Sequence, residues 1–181
     1  MENQEINLLL ERQFIIQDEI EKLSKESNEI SLKIYQLNNK SMRPNITNKN
    51  EIKSLLESKG YDVNTKTQSG SQILVVSNNS KTLNVLLKQS KYYYKSYHAW
   101  YTINPNVEDF VDIFIFIYLD KYGISNSLVI NKNKMQPIME SLSKMPDGRT
   151  NIQLTVENGE VIEHFSKVNL TDSVNDFSVF D

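Results

Sequence analysis

Three short apolar runs constrain the fold more than anything else in this chain. They are Ile73-Leu74-Val75-Val76, Leu83 to Leu87 and Phe110 to Leu119. Each is bounded by polar residues, and the third is rich in β-branched and aromatic types. Runs of this length and composition suit strands buried on both faces. Ser77-Asn78-Asn79-Ser80 separates the first two, and so short a polar connection predicts a hairpin. The third run is the longest and is expected at the centre of a sheet. Leu128-Val129-Ile130 adds another strand. Ile152 to Val156 and Val161 to Phe165 flank Glu157-Asn158-Gly159-Glu160 and predict a late hairpin. Tyr61-Asp62-Val63 reads as a short strand, and the polar Thr65 to Ser71 as a loop.

Helical signals lie between these runs. Asn48 and Glu51 have the spacing of a capping box. Ile52, Leu55 and Leu56 form an amphipathic face, and Gly60 is placed as a stop. A helix is predicted over about 49–59. Met135, Ile138, Met139 and Leu142 predict a second over 132–144, with Pro137 near its start.

The first forty residues form a separate unit. No proline or glycine occurs from Glu2 to Asn39. Apolar residues recur in steps of three and four at Ile6, Leu9, Ile16, Ile20, Leu23, Ile30, Ile34 and Leu37, with Gln13 and Ser27 filling the remaining places. That is a heptad seam with Ile6 at position a. It predicts a long coiled-coil helix and a homo-oligomer formed through residues 6–37. In a parallel pair each g residue faces the following e residue, and no such pair here joins opposite charges. Leu8, Leu10, Phe14 and Ile15 widen the apolar face. Antiparallel pairing, a larger bundle or docking on the chain's own domain stay open.

The expected organisation is a long helix over 1–42, an α/β domain over 46–169 and an acidic tail over 170–181. The chain has 181 residues, room for one domain and an accessory element. Hydrophobic residues make up 39% and charged residues 24%, which places it among globular proteins. With no cysteine, disulfides and thiolate-ligated zinc are excluded. His98 and His164 are the only histidines. The formal net charge of -3 excludes a wholly basic nucleic-acid-binding surface, so any such contact needs a local patch. No membrane span or secretory signal is read, and the expected location is the cytoplasm.

Such a patch is present. Lys88, Lys91, Tyr92, Tyr93, Tyr94 and Lys95, followed by Tyr97, His98, Trp100 and Tyr101, interleave cations and rings. Lysines contact phosphates and rings stack on exposed bases. Lys88, Lys91, Lys95, Tyr94 and Trp100 are the candidate nucleic-acid contacts. Alternating aromatics and lysines also suit an ordinary edge strand, so both readings stand. Lys121, Lys132 and Lys134 would enlarge the patch if the fold gathered them.

A helix ending in Gly60-Tyr61-x-Val63, an apolar hairpin, Lys88 closing its second strand, then Trp100 and a long apolar strand resemble the PD-(D/E)xK nuclease superfamily over about 48–142. The resemblance implies a restriction-endonuclease-like mixed sheet flanked by helices. It also implies a site in which carboxylates hold Mg²⁺ beside a lysine. Glu51 and Lys88 fill two of that pattern's positions. The hairpin acid falls at Ser71 or Gln72, and the acid two places before the lysine falls on Leu86. Leucine cannot ligand a hard cation, and glutamine offers only a neutral carbonyl. The expectation is a non-catalytic nuclease-like module with no cofactor, which self-associates and binds nucleic acid or a protein partner. Two alternatives stand beside it. One is an active Mg²⁺-dependent nuclease with acids recruited from Asp62, Asp109 or Asp112. The other is a structural coiled-coil adaptor.

Overall fold

The computed structural model describes residues 9, 11–20, 22–23, 26, 29–30, 33 and 47–181, except 94 and 122. Its α/β part holds a five-stranded mixed sheet, a three-stranded sheet and two helices. Helix α1 (Thr47–Ser58) leads into β1 (Asp62–Gln68), β2 (Ser71–Ser77) and β3 (Thr82–Gln89). The chain then passes through β4 (Ala99–Ile103) to β5 (Ile113–Leu119), β6 (Ser125–Asn131) and α2 (Lys132–Ser141). Strands β7 (Thr150–Glu157) and β8 (Glu160–Glu163) complete the order. The large sheet runs β1-β2-β3-β5-β6 and the small one β4-β7-β8. Among the described residues, only β3 and β5 are parallel neighbours. Their crossover lays β4 into the small sheet instead of forming a helix.

The middle strand is β3 rather than the expected β5, which lies inside the sheet between β3 and β6; β5 is apolar on both faces, and all seven of its residues are buried. Phe114 and Phe116 enter one core with Ile73, Leu86, Tyr101 and Met135. The small sheet and α2 close that face. Ile113, Ile115 and Ile117 enter the other core, covered by Ile52 and Leu56 of α1. The alternation follows from the period-two geometry of a strand. Each face buries a continuous apolar stripe, and this is the main force holding the two layers to the sheet.

Local signals explain the ends of elements. Gly60 has φ +85°, and the Tyr61 N–H donates back to the Leu56 carbonyl at 3.2 Å, closing α1 in a left-handed cap. The Asn131 side chain accepts from Lys134 N–H at 3.0 Å and starts α2, which tolerates Pro137 inside it. Asn158 and Gly159 both have positive φ, as the tight turn of the β7–β8 hairpin requires.

Three expectations change. The polar stretch 65–68 belongs to β1 and pairs with β2 from Asp62↔Ser77 to Gln68↔Ser71. Ser69 and Gly70, at φ +49° and +68°, supply the turn that makes this edge hairpin possible. Asn48 lies within α1 rather than capping it. The acidic segment after Leu170 is not a separate tail. It forms two short 3₁₀ turns, and Phe180 enters the second core at 1% exposure. Tyr61 Oη donates to the Phe180 carbonyl, and Lys81 Nζ to the terminal residue's carbonyl. Phe177 and Val179 pack beside it, so apolar burial outweighs the segment's charge.

The described residues between 9 and 33 are helical. Ile6, Ser27, Ile34 and Leu37 of the seam lie outside the described residues. Among the described residues, no helix is long and apolar enough to cross a membrane.

Candidate nucleic-acid interface

The nuclease-like positions do not form a site. Leu86 is fully buried between Ile73 and Phe114, its register partners. Gln72 is exposed in β2 and adjoins Leu86's partner Ile73, so its side chain points to the opposite face. Glu51 is exposed on α1 and lines a shallow groove with Ser125, Ser127 and Asn175. Lys88 sits half-buried at the carboxyl end of β3. Burial, and secondarily the Lys49 ammonium, hold its ammonium below the ordinary lysine range. No acid within ion-pairing distance offsets this among the described residues.

The alternative acids are at the wrong end of the sheet. Lys88 is in register with Phe116, four residues along β5 from Asp112, which places them about 13 Å apart along the strand direction. Asp112 instead clamps the opening of the β3–β5 ladder: its Oδ2 accepts from Asn84 N–H at 2.8 Å. Asp62 begins β1 at that same end, and Asp109 precedes β5 there. No group of three or more His, Asp or Glu side chains able to hold a metal occurs among the described residues. Lys132 and Lys134 also belong to that far end, where they bond the Asp109 carbonyl and Ser173 Oγ, and do not enlarge the patch.

The crossover between β3 and β4 builds something else. Ser90 Oγ accepts from Trp100 N–H at 2.8 Å and donates to the Lys91 carbonyl, pinning both ends of the intervening loop. Tyr93 N–H closes it on the His98 carbonyl at 2.9 Å. Tyr92 is buried and stacks on His98 at 5.3 Å. Tyr101 is buried, while Tyr93, Tyr97 and Trp100 are partly exposed. Tyr93 lies 5.4 Å from Tyr97 and 6.1 Å from Trp100, and Tyr97 lies 6.0 Å from Trp100. From Tyr97 the chain of rings continues to His164 at 6.1 Å and Phe165 at 5.1 Å further. Trp100 is 37% exposed and Phe165 59%. Lys91 Nζ sits 4.9 Å from the Tyr93 ring centre and Lys95 Nζ 5.8 Å from that of Tyr97. Burial, and less strongly the neighbouring Tyr97, push the Tyr93 phenol up, so it stays a neutral donor at physiological pH. Tyr94 lies outside the described residues.

The turn after β8 holds the far end of this surface. Glu163 is fully buried, and its carboxylate accepts from three backbone N–H groups: Gln153 at 3.2 Å, Phe165 at 3.0 Å and Ser166 at 2.7 Å. This fixes the backbone that presents His164 and Phe165. A shallow groove begins at Phe165 and runs past Gln153, Asn151 and Leu142 over the outer side of the small sheet. His164 and Phe165 went unassigned in the sequence because nothing local marks them. They reach the rings of 93–100 only through the pairing of β4 with β7 and β7 with β8.

His98 ties the loop to the small sheet. Its backbone N–H donates to the Leu154 carbonyl at 2.7 Å, and its Nδ1 accepts from Val156 N–H at 2.9 Å. That bond requires Nδ1 to be unprotonated. Burial holds the imidazole below its ordinary 6.5, with Glu157 pulling less strongly the other way. The unfolded chain therefore binds the proton first as pH falls. The stability contributed by neutral His98 is complete above 6.5 and is lost as pH drops through the lowered folded value. Melting curves over the weakly acidic range are expected to show this slope in the parent chain and not in His98→Gln. An unchanged slope in the variant would assign the pH dependence to other groups.

No family model, curated protein or solved structure matches the chain.

Proposed function

We propose that this protein binds single-stranded nucleic acid on the surface formed by Tyr93, Tyr97, Trp100 and Phe165, without cleaving it. The carrying observation is the continuous run of partly exposed rings with Lys91 and Lys95 placed over two of them. Unpaired bases present π-faces that stack on such rings, while lysines meet the phosphates between them. A duplex hides those faces. The Gln153 carboxamide lines the adjoining groove and offers a donor and an acceptor to base edges, whereas that of Asn151 is already bonded to Thr102 and Met145. With a net charge of -3, attraction to phosphates here rests on local lysines, Lys91 and Lys95.

The nuclease-like reading is kept as a statement about the scaffold. It is supported by the β2–β3 hairpin, by Lys88 at the end of β3 and by apolar β5 running parallel beside it. Leu86 in the core, with Asp62, Asp109 and Asp112 at the opposite end, favours the non-catalytic form over the Mg²⁺-dependent one.

Trp100 is the only tryptophan, so its fluorescence reports on the surface directly. Single-stranded oligonucleotides of about 12 nucleotides, DNA and RNA in parallel, are expected to quench it. Tyr97→Ala should weaken binding between about 5-fold and 150-fold, the range set by one lost stacking contact. Lys91→Ala and Lys95→Ala should each flatten the slope of log affinity against log salt by about 0.7. Absence of quenching at low salt, or equal quenching by duplex, would overturn the proposal.

A further inference from the structure

Leu9, Ile16, Ile20, Leu23 and Ile30 are helical and between 47% and 64% exposed, so the apolar seam has no cover within the chain at these positions. We propose that a second copy of the same helix covers it, running antiparallel in one defined register. The inference stands apart from the strand-binding reading.

Charge selects the occupant and its direction. The g positions along the seam are Glu5, Arg12, Glu19, Glu26 and Lys33, in the sign order minus, plus, minus, minus, plus. The e positions are Leu10, Gln17, Ser24, Ser31 and Asn38, all uncharged. In a parallel pair g meets e, so charge contributes no attraction. In an antiparallel pair g meets g across the seam. Centring the pair on Glu19 sets Glu5 against Lys33 of the second copy and Arg12 against its Glu26. Two-fold symmetry repeats both contacts, so four of the five g contacts join opposite charges, and only Glu19 faces its own kind.

The neighbouring registers are worse. A slip of one heptad toward the carboxyl ends sets Arg12 against Lys33 and Glu19 against Glu26, every contact repulsive. A slip the other way sets Glu5 against Glu26, which cancels the gain from Arg12 against Glu19. The favoured register packs Ile16 on Ile20 at the two-fold axis and Ile6 on Ile30 further out, the interdigitation a heptad seam requires. Gln13 then faces Leu23, and Ser27 faces Leu9. Each polar a residue meets an apolar d residue in every heptad register, so the register rests on the g charges. Phe14 and Ile15 lie at positions b and c, off the seam, and remain uncovered in a two-chain coil.

The chain contains no cysteine, so single-cysteine variants of the full protein report orientation cleanly. Sedimentation equilibrium of the unmodified chain is expected to give a mass of two chains. Glu19→Cys, beside the two-fold axis, should form an interchain disulfide under mild oxidation. Leu9→Cys, near one end, should not, because its own copy lies at the other end of the coil. Arg12→Glu should raise the dissociation constant about tenfold, since two attractive contacts become repulsive. Adding Glu26→Arg should restore it, an outcome that neither lost helicity nor misfolding can produce. A monomer at all concentrations, a mass of three or more chains, cross-linking through Leu9→Cys, or no rescue by the second charge change would each overturn the proposal.

Discussion

Leu86→Asp is expected to unfold the α/β domain, although it writes the missing acid of the nuclease pattern back into the chain. Leu86 is fully buried, with Ile73 and Phe114 as its register partners. Losing a buried leucine side chain costs about 2–5 kcal/mol by itself. Leaving a carboxylate there without a partner adds several more, or forces it to stay protonated. Together these reach the whole stability of an ordinary domain, about 5–15 kcal/mol. Leu86→Met keeps the volume and should cost less than about 1.5 kcal/mol, which separates the charge from the change of shape. Urea unfolding followed by circular dichroism measures both. A folded Leu86→Asp protein that is stabilised by Mg²⁺ would show that this position can still serve a metal site.

Glu163→Ala ranks next. Its buried carboxylate is the acceptor for three backbone N–H groups, and no ion pair involves it among the described residues. Removing it leaves those donors to find water or go unpaired, each at about 1–3 kcal/mol. A total loss of roughly 3–5 kcal/mol is expected, since Phe165 and Ser166 lie in a turn where water can reach part of the way. The effect should extend to the ring surface, because the same carboxylate orients the backbone of Phe165. Oligonucleotide affinity should therefore fall in Glu163→Ala even at temperatures where the protein remains folded. Glu163→Gln tests the chemistry separately, since its amide nitrogen cannot accept and would face at least one donor. If both variants kept parental stability, the carboxylate would have no structural role.

The strands over 73–76 and 83–88, and the 113–119 part of the expected 110–119, were legible because hydrophobic period is a local property. It declares which residues must leave water, and secondary structure follows from the repeat. Lys91, Tyr93, Lys95 and Trp100 were legible as a dense local run for the same reason. The added length of β1 was not. Its residues are polar, and they become a strand only because β2 supplies hydrogen-bonding partners along a neighbouring edge. The segment after Leu170 read as acidic, yet Phe180 found a core made by residues between about 50 and 130 positions earlier, from Ile52 to Val129.

Sequence by itself therefore determined which stretches are apolar, where glycine and asparagine turn the chain, and that no acid accompanies Lys88 two places earlier. Tertiary structure alone decided that His164 and Phe165 join the rings of the crossover loop, and that Glu163 is buried to hold them. It also decided that Asp112 lies at the far end of the sheet from Lys88. The physical reason is range. Side-chain chemistry and backbone propensity act over a few residues, whereas the partners of a surface or a buried carboxylate are chosen by strand pairing between distant segments.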